Sequence, residues 1–92
     1  MKIDVRDGRA YVHLETTRRR CTVTTNGNSY VIACGRLLGS SGFGVARRQL
    51  GTHRWRLISG PWRTSARALL AWQDELDRVT DATYSELSPD DD

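Results

Sequence analysis

The chain has 92 residues, of which 38% are hydrophobic and 27% charged, and it carries a formal net charge of +3. A chain of this length forms one domain that buries about two-thirds of the surface it exposes when unfolded. No apolar run is long enough to span a membrane and the N-terminal residues lack a secretory signal. We therefore expect no membrane association and a cytoplasmic location.

Charge changes sign along the chain. Residues 1–73 contain thirteen basic and three acidic side chains, net +10, whereas residues 74–92 contain one basic and eight acidic side chains, net −7. A basic body with an acidic end indicates a polyanionic partner. We expect a single domain over residues 1–87 and an acidic disordered tail over residues 88–92, which keeps the protein soluble or competes for the basic surface.

The first predicted hairpin turns at Asp7-Gly8. This dipeptide joins segments 3–6 and 9–15, in which apolar and polar residues alternate, so each strand should bury one face. A loop is expected over residues 16–19.

The second predicted hairpin turns at Asn26-Gly27, two residues that tolerate the positive φ of a type I′ turn. A two-residue turn sets the register, with Val23 opposite Tyr30 and Cys21 opposite Ile32. These four side chains are then expected on one face of the sheet.

Residues 35–44 contain four glycines and predict a flexible connection. They lack the lysine and the following helix of a phosphate-binding loop. A third hairpin follows, with its turn over residues 50–52. A helix should then begin with Thr64 as its N-cap. Its expected apolar stripe consists of Ala66, Leu69, Trp72, Leu76 and Val79, and an i,i+4 ion pair is expected between Asp74 and Arg78.

These elements predict an α+β fold: an antiparallel sheet of about six strands, built of β-hairpins and packed by one C-terminal α-helix. Strand order does not follow from the sequence.

No residue pattern indicates catalysis or metal binding. Cys21, Cys34, His13 and His53 do not have the spacing of a zinc site, and buried reduced cysteines are the simpler interpretation. A cysteine nucleophile would need a neighbouring base and an oxyanion-binding element, and the sequence indicates neither. We therefore expect a protein that is not an enzyme and uses no cofactor or metal.

Arginines form the candidate binding surface. In a strand, Arg54 and Arg56 project from one face, opposite Trp55 and Leu57. Trp55 and Leu57 are expected to pack the sheet against the helix, so Arg54 and Arg56 should lie on the open side of the sheet, suited to phosphate. Either Arg47 or Arg48 should join them from the partner strand. The candidate nucleic-acid-binding residues are Arg18, Arg19, Arg20, Arg47, Arg48, Arg54 and Arg56. The ordinary alternative for such charges is a solvated surface.

The C-terminal half resembles the DNA-binding domains built of a three-stranded sheet and a helix. These include the arm-binding domains of tyrosine integrases and the AP2-like domains. The resemblance rests on RWRLI followed by WRTSARALLAW, and on strands near residues 29–34, 43–48 and 53–58. It implies a sheet that enters the major groove with the helix packed behind it. The size and arginine bias also resemble accessory proteins of actinobacterial phages.

Two functions are therefore expected. The first is a small module that binds nucleic acid, in particular duplex DNA, through a basic open sheet face. Few aromatic side chains are free to stack on bases, which favours duplex over single strands. The alternative is a phage-type accessory protein that binds a host protein through its sheet or helix, with arginines as interface anchors.

Overall fold

The computed structural model describes residues 3–25, 27–80 and 87–90. Seven strands and one helix lie within them: β1 (Asp4–Arg6), β2 (Arg9–Val12), β3 (Leu14–Thr25), β4 (Asn28–Leu37), β5 (Phe43–Gln49), β6 (Trp55–Trp62), α1 (Ser65–Thr80) and β7 (Leu87–Asp90).

All strands belong to one sheet with the order β1-β2-β6-β5-β4-β3-β7, and every neighbouring pair is antiparallel. The predicted α+β fold, with about six hairpin-derived strands and one C-terminal helix, is therefore confirmed. β7 pairs with residues 20–23 of β3. Three of its four residues, 88–90, fall in the segment 88–92 for which the sequence predicts a disordered tail. Residues 91 and 92 lie outside the described residues.

The first two predicted turns set the strand register. Asp7 and Gly8 both have positive φ, 52° and 73°, as a type I′ turn requires. In the second hairpin, Val23 lies opposite Tyr30 and Cys21 opposite Ile32, which confirms the predicted register.

The sheet is strongly curled. Val12 and Leu14 are joined through His13 alone, so their Cα atoms are at most about 7 Å apart. In a flat sheet β2 and β3 would lie four strand spacings apart, about 19 Å, because β6, β5 and β4 separate them. The backbone N–H of Leu38 donates to the carbonyl of His13 at 2.9 Å and holds this junction together.

The inner side of the curl, called the concave face below, is a core to which, within the described residues, strands of the sheet alone contribute. Its buried residues are Val12, Leu37 and Ala46, and the half-buried Leu14, Trp55 and Leu57 pack against them. Five strands, β2 to β6, contribute to this cluster. Closing the sheet on itself therefore buries the face that lies away from the helix.

Glycines allow this curvature. A Cβ on Gly35 would lie 1.8 Å from the backbone oxygen of Thr16, and one on Gly44 would lie 3.1 Å from Leu37 Cδ2. Gly35 and Gly44 are paired across β4 and β5. The expected flexible connection over residues 35–44 is therefore wrong at both ends: only residues 38–42 connect the strands, and these glycines are required by close packing inside them.

The outer, convex face carries α1. The helix begins after Thr64, whose Oγ1 accepts from the N–H of Arg67 at 3.2 Å, as the predicted N-cap should. Trp72 is buried against the sheet, and its indole N–H donates to the carbonyl of Ile32 at 2.9 Å. The helix-side core consists of Cys21, Val23, Tyr30, Ile32, Cys34, Val45, Ala68, Trp72 and Leu76.

Four local predictions about the helix and the first strands are wrong. Ala66 is exposed and Ala68 takes its place in the core. Arg78 pairs with Glu75 at 2.6 Å instead of the predicted Asp74. Residues 16–19 belong to β3, and β1 is exposed on both sides, with Val5 65% accessible.

The most consequential correction concerns β6. Trp55 and Leu57 pack in the concave core, whereas Ile58 and Trp62 pack with the helix-side core. The prediction that Trp55 and Leu57 face the helix is therefore wrong. A strand next to a curled interior needs apolar side chains on both faces, so alternation alone does not say which face meets the helix.

Candidate nucleic-acid interface

Four arginines meet in one pocket on the convex face, beside the area that α1 covers. The basic pocket, as it is called below, is lined by Arg9, Tyr11, Arg47, Gln49, Thr52, Arg54 and Arg56. Arg9 and Tyr11 come from β2, Arg47 and Gln49 from β5, Arg56 from β6, and the other two from the connection between β5 and β6.

Strand register brings these residues together. Tyr11 lies opposite Arg56, Arg56 opposite Arg47, and Arg47 opposite Ile32. Paired residues in a sheet project from the same face, and Ile32 belongs to the helix-side core. The pocket therefore continues the helix-bearing face onto strands β5, β6 and β2.

Tyrosine rings position two of the guanidinium groups. Arg47 lies 4.3 Å from the ring centroid of Tyr30, and Arg54 lies 5.5 Å from that of Tyr11. Cation–π contacts of this kind are worth about 0.5–1 kcal/mol at exposed sites. They hold the guanidinium planes in place before any ligand arrives.

No carboxylate lines the pocket among the residues that the structure describes. Four like charges in one concavity repel one another, by a few tenths of a kcal/mol for each pair in water. Arg54 and Arg56 are exposed, so their donors can reach an anion. An oxyanion in the pocket would relieve the repulsion and accept several charge-assisted hydrogen bonds.

Arg48 is separated from this group. It lies opposite Val31, one position away from Arg47, and therefore projects from the other face. There its Nη1 donates to the carbonyl of Thr52 at 2.8 Å, and its guanidinium lies 5.0 Å from the Trp55 ring centroid. Arg48 braces the turn between β5 and β6 and covers the edge of the concave core.

The cluster Arg18–Arg20 lies in β3 and is divided between the two faces of the sheet. Arg19 is opposite Cys34 and Arg20 opposite Ala33, which places their side chains on opposite faces. Arg18 sits at a bulge and donates to Ser65 Oγ at 3.3 Å, beside the start of α1. Arg18 and Arg19 therefore line one pocket beside the start of α1, with Ser65 and Leu69, whereas Arg20 projects from the other face. Strands β4 and β5 separate all three from Arg56.

The predicted open sheet face opposite the helix does not exist, because that face is the concave core. Of the seven candidate residues, the structure brings Arg47, Arg54 and Arg56 together and places the other four elsewhere. The sequence prediction missed Arg9 and Tyr11. Their alternation marked a strand, but the pairing of β2 with β6 spans more than forty residues and leaves no local signal.

The cysteines are core residues. Burial raises the pKa of the Cys21 thiol, and the neighbouring Cys34 raises it further. Burial also raises the pKa of Cys34, which exceeds the lowering effect of a backbone hydrogen bond at Arg19. Within the described residues, no three side chains of His, Cys, Asp or Glu come together as a metal site requires.

No family model, curated protein or solved structure matches this chain. In the described part of the chain, no helix has the length and apolar character needed to cross a membrane.

Proposed function

We propose that the protein binds nucleic acid, duplex DNA in particular, by seating backbone phosphates in the basic pocket. The observation that carries this proposal is the convergence of four arginines in one concavity with no carboxylate among its described lining residues. Arginine suits this task because its planar guanidinium can give two parallel hydrogen bonds to a phosphate.

The pocket provides contacts of two kinds. Arg54 and Arg56 are exposed and can follow a phosphate that approaches from solvent, whereas Arg47 is half-buried and stacked, so it acts as a fixed donor at the back. The exposed Gln49 offers a neutral amide beside them. Phosphate contacts set position and carry no base readout, so we expect weak sequence preference.

The aromatic side chains favour a duplex over a single strand. Binding of single strands depends on exposed aromatic rings that stack on bases. In the described residues, all six aromatic side chains are buried or half-buried. Four of them, Tyr11, Tyr30, Trp55 and Trp62, also carry an arginine guanidinium on the ring. Little ring surface is left for a base.

A titration of three labelled ligands tests the proposal. Duplex DNA, single-stranded DNA of the same length and duplex RNA are each titrated with the protein at low and at physiological salt. We expect the tightest binding for a duplex, with an affinity that falls steeply as salt rises because phosphate contacts release counterions. Absence of binding to all three at low salt would overturn the proposal and make an acidic protein surface the next partner to test.

A further inference from the structure

Strand β1 forms one edge of the sheet, and among the described strands it pairs with β2 alone. All three of its residues are exposed, Val5 at 65%, and the preceding Ile3 is 40% accessible. An edge strand of this kind presents unpaired backbone donors and acceptors to any strand of matching length.

The turn fixes which backbone groups are unpaired. Asp7 and Gly8 form a two-residue turn, so Arg6 and Arg9 flank it as a hydrogen-bonded pair, and hydrogen-bonded and non-hydrogen-bonded pairs alternate from there. Val5 is then in a non-hydrogen-bonded pair with Ala10. The N–H and C=O of Val5 therefore point away from β2, toward the open edge.

We propose that a second copy of this chain pairs with this edge, β1 antiparallel to β1, about a two-fold axis at Val5. The two Val5 residues exchange both of their free hydrogen bonds. Asp4 of one copy then lies opposite Arg6 of the other, in the non-hydrogen-bonded position where side chains approach most closely.

Charge selects this arrangement over the others. Asp4 and Arg6 lie on either side of Val5, so a two-fold pairing brings opposite charges together twice. A parallel pairing would instead place each aspartate beside an aspartate and each arginine beside an arginine. Within one copy the two side chains are already an exposed ion pair at 3.2 Å, so both are oriented along the same face and available at the edge.

The pairing has a consequence that rests on the proposed function. The two-fold axis stands perpendicular to the sheet, so both convex faces point the same way and both basic pockets lie on one side. Across the strands, the Cα atoms of Arg56 in the two copies would be separated by five strand spacings, at most about 24 Å in a flat sheet, which is less than the roughly 34 Å of one duplex turn. One duplex can therefore contact both pockets.

Charge reversal in trans tests the pairing without nucleic acid. Alone, Asp4→Arg places arginines opposite arginines, and Arg6→Asp places aspartates opposite aspartates. Mixed in equal amounts, the two variants are complementary again. By sedimentation velocity at low salt we expect concentration-dependent dimers for the unmodified protein, at least tenfold weaker dimerisation for each variant alone, and recovery in the mixture. A mixture no better than its components, or an unmodified protein that stays monomeric at every concentration, would overturn the proposal.

A second variant removes the backbone contact instead of the charges. Val5→Pro deletes the outward N–H, which the hairpin does not use, so the fold should persist while the dimer is lost. Titrated with a duplex of about two turns, the unmodified protein should bind cooperatively and Val5→Pro non-cooperatively. The two proposals can fail separately: a dimer without affinity for nucleic acid would retain the edge pairing, and salt-dependent binding by a monomer would retain the basic pocket.

Discussion

The two faces of the sheet bury their apolar side chains in different ways. The concave face buries Val12, Leu37 and Ala46 because the sheet curls on itself, and in the part of the chain that the structure describes this cluster is made of strand residues. The convex face is covered by α1 over β4, β5 and β6 at one end of these strands, and the uncovered part carries the basic pocket. Curvature therefore frees a surface that a flat sheet of this size would have to bury.

Neighbouring arginines show the difference most clearly. Arg47 and Arg48 are adjacent in β5, yet one stacks on Tyr30 in the basic pocket and the other braces the turn beside Trp55. Because strand side chains alternate between faces, adjacent residues of the same type have different roles. Substitutions on the two faces should therefore separate stability from binding.

The largest effect is expected at the tightest point of the curl. In Gly35→Ala the added Cβ meets the backbone oxygen of Thr16, which cannot move without displacing β3, so we expect a largely unfolded protein by far-UV circular dichroism. In Gly44→Ala the Cβ meets the side chains of Leu37 and Leu57, which can shift. We expect this variant to fold with reduced stability. Equal stability of both variants would contradict the account of the concave face.

A smaller loss is expected from emptying the concave core. Leu37 is fully buried there, so Leu37→Ala should lower the free energy of unfolding by about 2–5 kcal/mol, as large-to-small core substitutions do. Leu70→Ala is the matched control because Leu70 is 53% exposed on the helix. Urea denaturation measures both, and a comparable loss in the control would mean that the concave face is not a core.

The stability of the helix-side core should depend on one buried hydrogen bond. Trp72→Phe keeps an aromatic ring but removes the N–H that reaches the Ile32 carbonyl, so we expect a loss of about 1–3 kcal/mol in urea denaturation. Trp62→Phe removes a comparable bond to Ser59 from a half-buried ring. The Trp62→Phe control should lose less free energy of unfolding than Trp72→Phe. A larger loss in the control would contradict a helix-side core centred on Trp72.

The smallest stability effect is expected in the basic pocket. Arg54→Ala with Arg56→Ala removes two exposed side chains and one contact with the Tyr11 ring, so the free energy of unfolding should fall by less than about 1 kcal/mol. Thermal denaturation followed by circular dichroism checks this. A large loss would mean that these arginines hold the fold together and are not reserved for a ligand.

Features that depend on a few neighbouring residues could be predicted from the sequence. The curling of the sheet, which depends on pairing between distant strands, could not. The turn at Asp7-Gly8, the Val23–Tyr30 register and the Thr64 cap depend on a few neighbouring residues, and each is confirmed. The curl depends on β2 meeting β6 while β3 stays with β4, a choice between pairings that alternation cannot make. For this reason Trp55 was predicted on the wrong face.

The same limit applies to the candidate site. The period of two correctly placed Arg54 and Arg56 on one face, and one residue of the pair Arg47 and Arg48 was expected beside them. Arg9 joins them only through strand pairing that is distant in sequence. The adjacent residues Arg18–Arg20 predict one cluster, but the strand brings only Arg18 and Arg19 together, in a pocket beside the start of α1, and turns Arg20 to the other face.

The salt dependence of duplex DNA binding tests the basic pocket most directly. The logarithm of the binding constant is measured against the logarithm of salt concentration for three proteins: the unmodified chain, Arg54→Ala with Arg56→Ala, and Arg63→Ala with Arg67→Ala. The last pair removes the same charge outside the pocket. We predict that the pocket variant binds more weakly and that its slope falls by about two, close to 0.9 for each lost phosphate contact. We also predict that the control keeps nearly the slope of the unmodified chain. Equal slopes for the two variants would show that binding follows net charge and would contradict a site in the basic pocket.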